Sequence, residues 1–347
     1  MIVRPRFAVP ALLSLVCVAA VVLSACGGSP AASKNGSPAG EATEGPAAGT
    51  GSLILTRPDG IAEINLKSHD EKLLIKQPTS DTFLLDPAVS PDGGSIAYTL
   101  QPPPKIQGTT YDAGSDIWIA TRDGSGAHQV VAHQEPNQLM RYPGWLDAGH
   151  LLAVVQEPTV AEGTTSVKYV LEKIDIATGQ RTRMIENVLA YGLSPDRTRV
   201  VYTELGTDTG ETLKTAALDG SDAKTIVGPE QNLLPFNSPR YSPDGSTVAF
   251  TSADQTGARA GWRYVSARPA SVSPDGLPED VWTVASSGGL ARRVADIKED
   301  LPALTWGADG SHLYVLGAMG LSDVSLKSGA VKRIADGSFH GEIAWAP

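Results

Sequence analysis

One phrase is written into this chain again and again. It reads YSPDGSTVAF at 241–250, VSPDGGSIAY at 89–98, LSPDRTRVVY at 193–202 and WGADGSHLYV at 306–315. A looser copy, WLDAGHLLAV, stands at 145–154, and WAP closes the chain at 345–347. Counted from the residue ahead of the SPDG tetrad, the copies start at Val89, Trp145, Leu193, Tyr241, Trp306 and Trp345. The intervals are 56, 48, 48, 65 and 39 residues. A repeat of about 40–50 residues points to propeller blades, since one such unit cannot bury its apolar faces alone and must stack on a neighbour. The repeated letters have a turn chemistry. Proline sets φ near −65°, aspartate bonds nearby backbone amides, and glycine accepts positive φ. Asp92, Asp196, Asp244 and Asp309 are therefore expected to form turns, not to act as catalytic carboxylates.

A second phrase lies between the copies: SDIWIATRDGSGAHQVV at 115–131, LEKIDIATGQRTRMI at 171–185, LKTAALDGSDAKTIV at 213–227, DVWTVASSGGLARRVA at 280–295 and LSDVSLKSGAVKRIA at 321–335. Each reads as two short alternating strands around a glycine-containing turn, a hairpin signal. GIAEINLKSHDEKLLI at 60–75 is a sixth hairpin without a turn glycine. Each unit then has four strands: A ends at the aromatic, SPDG turns the chain into B, and the hairpin supplies C and D. GSLILT at 51–56 is a strand B with no strand A before it, and HGEIAWAP at 340–347 is a strand A with no strand B after it. Joined, they complete a sixth blade and leave the ring without an exposed seam. The expected fold is all-β: a six-bladed β-propeller over 52–347, the last strand closing the first blade.

These SPDG…IAF blades resemble the TolB-type β-propeller family, and the resemblance covers residues 52–347. It implies the propeller fold and a role in envelope protein contacts. In that family a small α/β domain precedes the propeller, whereas here a different segment stands in its place. Prolyl-oligopeptidase relatives carry similar blades ahead of a hydrolase domain; with the closing strand reaching Pro347, no such domain is expected here.

The chain opens MIVRPRFAVPALLSLVCVAAVVLSAC. Arg4 and Arg6 give a basic start, residues 7–22 are apolar, and small residues lead into Cys26. This is a secretory signal over 1–25, and LSAC resembles the lipobox of bacterial lipoproteins. Cys26 is thus expected to become the first mature residue and carry a diacylglyceryl thioether. Residues 27–51, rich in Gly, Ser, Pro and Ala, read as a flexible tether with a root-mean-square reach of about 25–30 Å. The only other cysteine, Cys17, leaves with the signal, so no disulfide is expected. The net charge of −10 becomes −12 once Arg4 and Arg6 are removed, which excludes a nucleic-acid binder with a basic footprint.

No G-x-S-x-G, H-E-x-x-H, P-loop or calcium loop is present, and the six histidines share no ligand spacing. The expectation is no catalytic centre, no metal and no cofactor, with each histidine a separate surface residue. A–B and C–D turns fall on one face of a propeller and B–C and D–A connections on the other. The former are short and repetitive here. The latter include long stretches at 101–115, 156–168 and 252–279, and function concentrates in such loops on a rigid scaffold. Trp262 alone among the tryptophans has no place in the repeat. It sits with Tyr264, Arg259, Arg263 and Arg268 in a segment with no acid between Asp254 and Asp275. Trp, Tyr and Arg dominate interface hot spots, so these five residues are the candidate partner site, and their charge favours an acidic partner. A second VSPDG, at 272–276, is expected to be a turn within this insertion. The expected function is a lipid-anchored protein-interaction module of the cell envelope. The alternatives are a glycan or small-molecule sensor, which would need a polar, ligand-sized channel mouth, and a lactonase-like hydrolase, which would need acidic ligands converging on the channel.

Overall fold

The computed structural model describes residues 51–108, 110–161, 164–206, 210–256, 278–337 and 341–346. Six four-stranded antiparallel sheets form the blades. Blade 1 joins Ile343–Ala346, Ser52–Arg57, Gly60–Asn65 and Glu71–Lys76 in that order. Blade 2 is Phe83–Val89, Ser95–Gln101, Asp116–Thr121 and His128–Val131. Blade 3 is Leu139–Trp145, His150–Ala161, Thr164–Asp175 and Arg181–Glu186; blade 4 is Val188–Leu193, Arg199–Leu205, Glu211–Ala217 and Lys224–Val227. Blade 5 is Leu233–Tyr241, Thr247–Asp254, Glu279–Ala285 and Arg292–Glu299, and blade 6 is Ala303–Trp306, His312–Gly317, Gly320–Ser325 and Val331–Asp336. The first strand of each blade (strand A) touches strand A of the next around a closed cycle of six. The expected clasp is present: Ser52 pairs with Ala346, Leu53 with Trp345, Ile54 with Ala344 and Leu55 with Ile343.

The core lies between blades. Each of six buried apolar clusters draws on two adjacent blades, and one of them joins blade 6 to blade 1. Strand periodicity explains this, because alternate side chains leave a strand on opposite sides. In SLILT, Leu53 and Leu55 pack against blade 6 while Ile54 packs against blade 2. Strand B is therefore apolar at successive positions, as a strand buried on both faces must be. The residue after the strand B aromatic ties blades together through hydrogen bonds. Thr99 donates to the Met140 carbonyl (3.1 Å), Thr203 to that of Phe236 (2.8 Å) and Thr251 to that of Pro302 (3.1 Å), each on or immediately before strand A of the next blade.

The SPDG tetrads are turn hardware. Ser90 Oγ donates to Asp92 (2.5 Å) and accepts from the Ser95 N–H (2.8 Å), while the Gly94 N–H bonds Asp92 (3.0 Å). Ser194–Asp196–Arg199 and Ser242–Asp244–Thr247 repeat the pattern. These serine hydroxyls are the first cause that holds Asp92, Asp196 and Asp244 below the usual carboxylate range. In the LSPDR copy Arg197 takes the glycine position at φ 57°. In the C–D turns Gly124 lies so close to strand D of blade 1 that a Cβ would sit 2.0 Å from the Leu74 carbonyl oxygen. The glycine-free turn of blade 1 uses His69 at φ 62° instead.

Two stretches expected as loops carry strands. Lys105–Gln107 and Thr110–Asp112 form a hairpin inside the 101–115 connection of blade 2. In blade 3 the two middle strands continue together, paired from His150↔Asp175 out to Ala161↔Thr164. Strand A stops pairing at Gln156 and strand D at Val170. About five residues on each side therefore run on as a free hairpin, about 15 Å beyond the sheet at the rise of a β-strand.

Candidate functional site

The middle of the ring is built by irregularities in strand A. Register shifts fall between Leu85 and Ala88, Arg141 and Gly144, and Asn237 and Arg240. Within them Asp86 (φ 54°), Tyr142 (φ 56°) and Ser238 (φ 46°) adopt left-handed backbone, each followed by a proline that cannot donate to the ladder. Such a bulge re-aims a side chain. Asp86, with no exposed side-chain surface, accepts two bonds from Arg141 (Nε to Oδ2 2.6 Å, Nη2 to Oδ1 3.0 Å) and further bonds from Thr99 and the Tyr142 N–H. Arg240 of blade 5 reaches past blade 6 to Glu342 of blade 1 (2.5 Å) and donates to the Tyr191 carbonyl of blade 4 (2.8 Å). Ser238 Oγ lies 3.4 Å from Glu342 and accepts the Leu304 N–H of blade 6 (3.0 Å). Tyr191 Oη donates to the carbonyls of Tyr142 and Leu152. Two ion pairs and two tyrosines, held from every blade, thus occupy the centre of the disc.

Burial is the first cause raising the Glu342 carboxyl above its usual range, and Arg240 opposes it. Burial alone would lower the Arg141 pKa, but the Asp86 charge outweighs it and the guanidinium is held charged. Burial pushes the Tyr142 phenol up to about 12. Each central carboxylate is satisfied by an arginine, so neither is presented as a free base or cation ligand. Among the described residues no group of three or more His, Cys, Asp or Glu side chains could hold a metal ion.

A different acid sits unpaired. Glu279, at the start of strand C in blade 5, is 1% exposed. Its Oε1 accepts from Asn237 Nδ2 (2.7 Å), and its Oε2 has no hydrogen-bond partner. Burial, which outweighs the hydrogen bonding of Thr251 and Asn237 and is joined by the charges of Glu211 and Asp300, pushes it up to about 8. Neither Glu279 nor the strand A bulges were anticipated from the sequence. A usable signal for the bulges was present, in DPAV, YPGW and SPRY, where a proline stands two residues before the end of strand A at 86–89, 142–145 and 238–241.

The B–C/D–A face carries the added structure. The Lys105–Asp112 hairpin exposes Ile106 (75%) and Tyr111 (43%), which pair directly across its strands. His133, from the D–A connection of the same blade, bridges two acids: Nδ1 to Asp116 (2.6 Å) and Nε2 to Asp112 (3.0 Å). The expectation of separate surface histidines therefore fails here, and again at His312, which is buried against Asp323 (2.6 Å). The candidate residues Arg259, Trp262, Arg263, Tyr264 and Arg268, the VSPDG turn at 272–276, and Cys26 with its signal and tether all lie outside the described residues. The ends of the insertion are described: strand B stops at Asp254 and strand C resumes at Glu279, on the B–C/D–A face. Beside it, a cleft of about 710 Å³ between blades 4 and 5 is lined by Ile226, Glu230, Leu233, Asp254, Trp282 and Leu290 among others.

No protein-family model matches the chain, and no curated protein matches it. Solved structures do. TolB from Acinetobacter baumannii is 14% identical over 85% of this chain and 66% of its own, with a TM-score of 0.56. The chain thus spans just under two thirds of that protein's length. A putative TolB from Agrobacterium tumefaciens is 14% identical over 86% of this chain and 99% of its own, with a TM-score of 0.54. Likeness at this identity is a likeness of fold: the chain is a six-bladed β-propeller whose structural neighbours are TolB-like propellers.

Proposed function

We propose that this chain is a lipid-anchored, extracytoplasmic propeller that binds another protein of the bacterial envelope through its B–C/D–A face, and that it is not an enzyme. One observation carries the reading. The centre of the disc is bridged by the chain's own ion pairs, while the B–C/D–A face bears two hairpins and the root of the insertion. Central carboxylates already paired with arginines and an elaborated face suit contact with a macromolecule better than enclosure of a small ligand. The sensor and lactonase-like alternatives lose support for the same reason, since Asp86 and Glu342 are already bound to arginines. The TolB-like fold is consistent with a protein-interaction role.

The partner surface in this reading combines the Ile106–Tyr111 pair with Arg259, Trp262, Arg263, Tyr264 and Arg268 of the insertion. Three arginines on a chain of net charge −10 favour an acidic partner and give encounter a salt dependence. The test is cross-linking and capture of envelope proteins by the purified chain. Trp262→Ala with Arg263→Ala should lower capture by about 30-fold or more, as loss of a 2 kcal/mol hot spot does, with the melting temperature unchanged. Retention of the same partners by a folded double variant refutes the site.

Anchoring is tested separately. Among the described residues no helix is long and apolar enough to cross a membrane, and the reading assigns attachment to Cys26. Stable anchoring needs more than one acyl chain, each buried CH₂ contributing about 0.8 kcal/mol. Mass spectrometry of the mature N-terminus should find diacylglycerol on Cys26, and Cys26→Ser should release the protein from the membrane. An unmodified Cys26 in the parent overturns the anchor.

A further inference from the structure

We propose that His133 is a proton-dependent strap that fastens the Lys105–Asp112 hairpin to the disc, so that the Ile106–Tyr111 pair is held firmly in mildly acidic surroundings and loosened in alkaline ones. The inference rests on the reading that this face takes the partner, and it concerns the regulation of that surface.

The hairpin is a two-stranded ribbon of three residue pairs, Lys105↔Asp112, Ile106↔Tyr111 and Gln107↔Thr110, and it belongs to no blade. A ribbon this short is marginal by itself in water. Its order must come from its base, where bonds to the disc converge. Asn137 donates its N–H to Asp112 Oδ1 (3.0 Å) and its Nδ2 to the Tyr111 carbonyl (2.8 Å), and accepts the Ala113 N–H at Oδ1 (3.0 Å). Asp112 also accepts the Gly114 N–H (3.0 Å). His133 completes the junction from the side, between Asp112 on the hairpin and Asp116 on strand C. Asp116 is itself fixed by the His133 N–H (2.9 Å) and Gln129 Nε2 (2.9 Å). Gly114 lies against the imidazole so closely that a Cβ there would come within 2.4 Å of the ring. The chain therefore makes room for this ring in this place.

Both ring nitrogens face carboxylate oxygens, and only the imidazolium can donate from both. The charged groups against the ring are Asp116, from strand C, and Asp112, from the hairpin. Burial by itself would lower the His133 pKa, but the bonds to Asp112 and Asp116 outweigh it and raise it above 6.5. Burial would raise Asp112, but the Asn137 N–H, His133 and the Gly114 N–H bring it down to about 2. The signs follow from these two directions. A histidine raised on folding stabilises its contacts fully below its unfolded value of about 6.5 and loses that contribution as pH rises through the folded value. A lowered carboxylate contributes above its unfolded value of 3.8 and loses that contribution as pH falls toward about 2. The strap is fully fastened between about pH 4 and about pH 6.5. Above the folded value the neutral ring keeps one N–H. The 2.6 Å bond to the more deeply buried Asp116 retains it, and the arm to Asp112 is the one released.

The experiment is hydrogen–deuterium exchange of the full chain in detergent at about pH 6 and about pH 8, expressed as protection factors, alongside the titration of His133 by nuclear magnetic resonance. Protection over 105–112 should fall by about tenfold for each unit of the His133 shift that Asp112 contributes, the fall being complete above the His133 titration, while the blade strands hold constant. His133→Gln, which cannot titrate, should abolish the transition. Gly114→Ala, which displaces the ring without removing a charge, should return His133 toward its ordinary value and weaken the transition. A flat profile over 105–112 in the parent, or a His133 that titrates below 6.5, overturns the strap, and the parent alone suffices for either result. Failure of the partner reading is distinguishable. If Ile106→Asp captures the same partners as the parent, the surface is wrong while the exchange transition still stands. If capture depends on Ile106 and the exchange profile is flat, the surface stands and the strap does not.

Discussion

At about pH 8 a Glu279→Gln variant should be more stable than the parent by about 4 kcal/mol, and near pH 4 the two should unfold together. The cause is a carboxyl group placed where its charge is poorly tolerated. Glu279 is buried, accepts from Asn237 at Oε1 while its Oε2 has no partner within hydrogen-bond geometry, and is raised further by the charges of Glu211 and Asp300, which with burial outweigh Thr251 and Asn237. Its folded-state pKa of about 8 stands well above the ordinary 4.5. The sign is that of a raised acid. Below about 4.5 the group is protonated in both states and contributes nothing. From there to about 8 the unfolded chain ionises while the folded chain must hold the proton, so stability falls as pH rises, and above about 8 the penalty is constant. Glutamine keeps the size and removes the titration. For a propeller of this size a gain of that order should raise the melting temperature by roughly 6–8 °C at the alkaline end. Urea unfolding at about pH 4, 6 and 8 reads the difference directly. A stability difference that is the same at all three values would falsify the assignment. An acid left in this position, at the root of the insertion, is a local violation of the kind that accumulates at functional sites.

Removal of residues 341–347 should leave a chain that does not stay folded and soluble at physiological temperature. The strand Ile343–Ala346 supplies four register pairs to Ser52–Arg57, and without it that strand becomes an open edge. Trp345 stacks on Tyr314 with ring centroids 5.9 Å apart, and loss of a tryptophan from such a site costs about 3–5 kcal/mol. Glu342 leaves as well, and Arg240 is left without its carboxylate in the centre of the disc, a further cost of about 3–5 kcal/mol. Together these rival the whole stability of a typical domain, about 5–15 kcal/mol. The measurement is soluble yield and thermal melting of the truncated chain. A truncated protein that melts with the parent would refute the clasp as the closure of the ring.

Much of the architecture was legible in the residues because a repeat is redundant. Five copies of a turn that Ser, Pro, Asp and Gly or close variants can make locally, each followed by an alternating hairpin, leave few other ways to bury the strands. The strand left over at each end then dictates where the ring closes. Turn chemistry acts within a few residues, so Ser90, Asp92 and Ser95 could be read as a unit before any contact was known. The central site could not be read in this way. Arg240 and Glu342 are 102 residues apart, and Asp86 and Arg141 are 55 apart. They meet because a closed ring brings every strand A to one axis, and because prolines at 87, 143 and 239 break the ladder where a side chain must turn inward. The same holds for the long connections. Glu157 to Lys168 looks like a polar loop, yet it pairs with itself because strands B and C of blade 3 are already in register when they leave the sheet. His133 reads as a solitary histidine until the hairpin folds Asp112 back onto it. What the sequence determined by itself was the repeating unit, its turns and their number, because those depend on neighbours in the chain. What only the tertiary structure decided was which charges face one another, since their energies are set by burial and by partners the chain reaches only after the ring has closed.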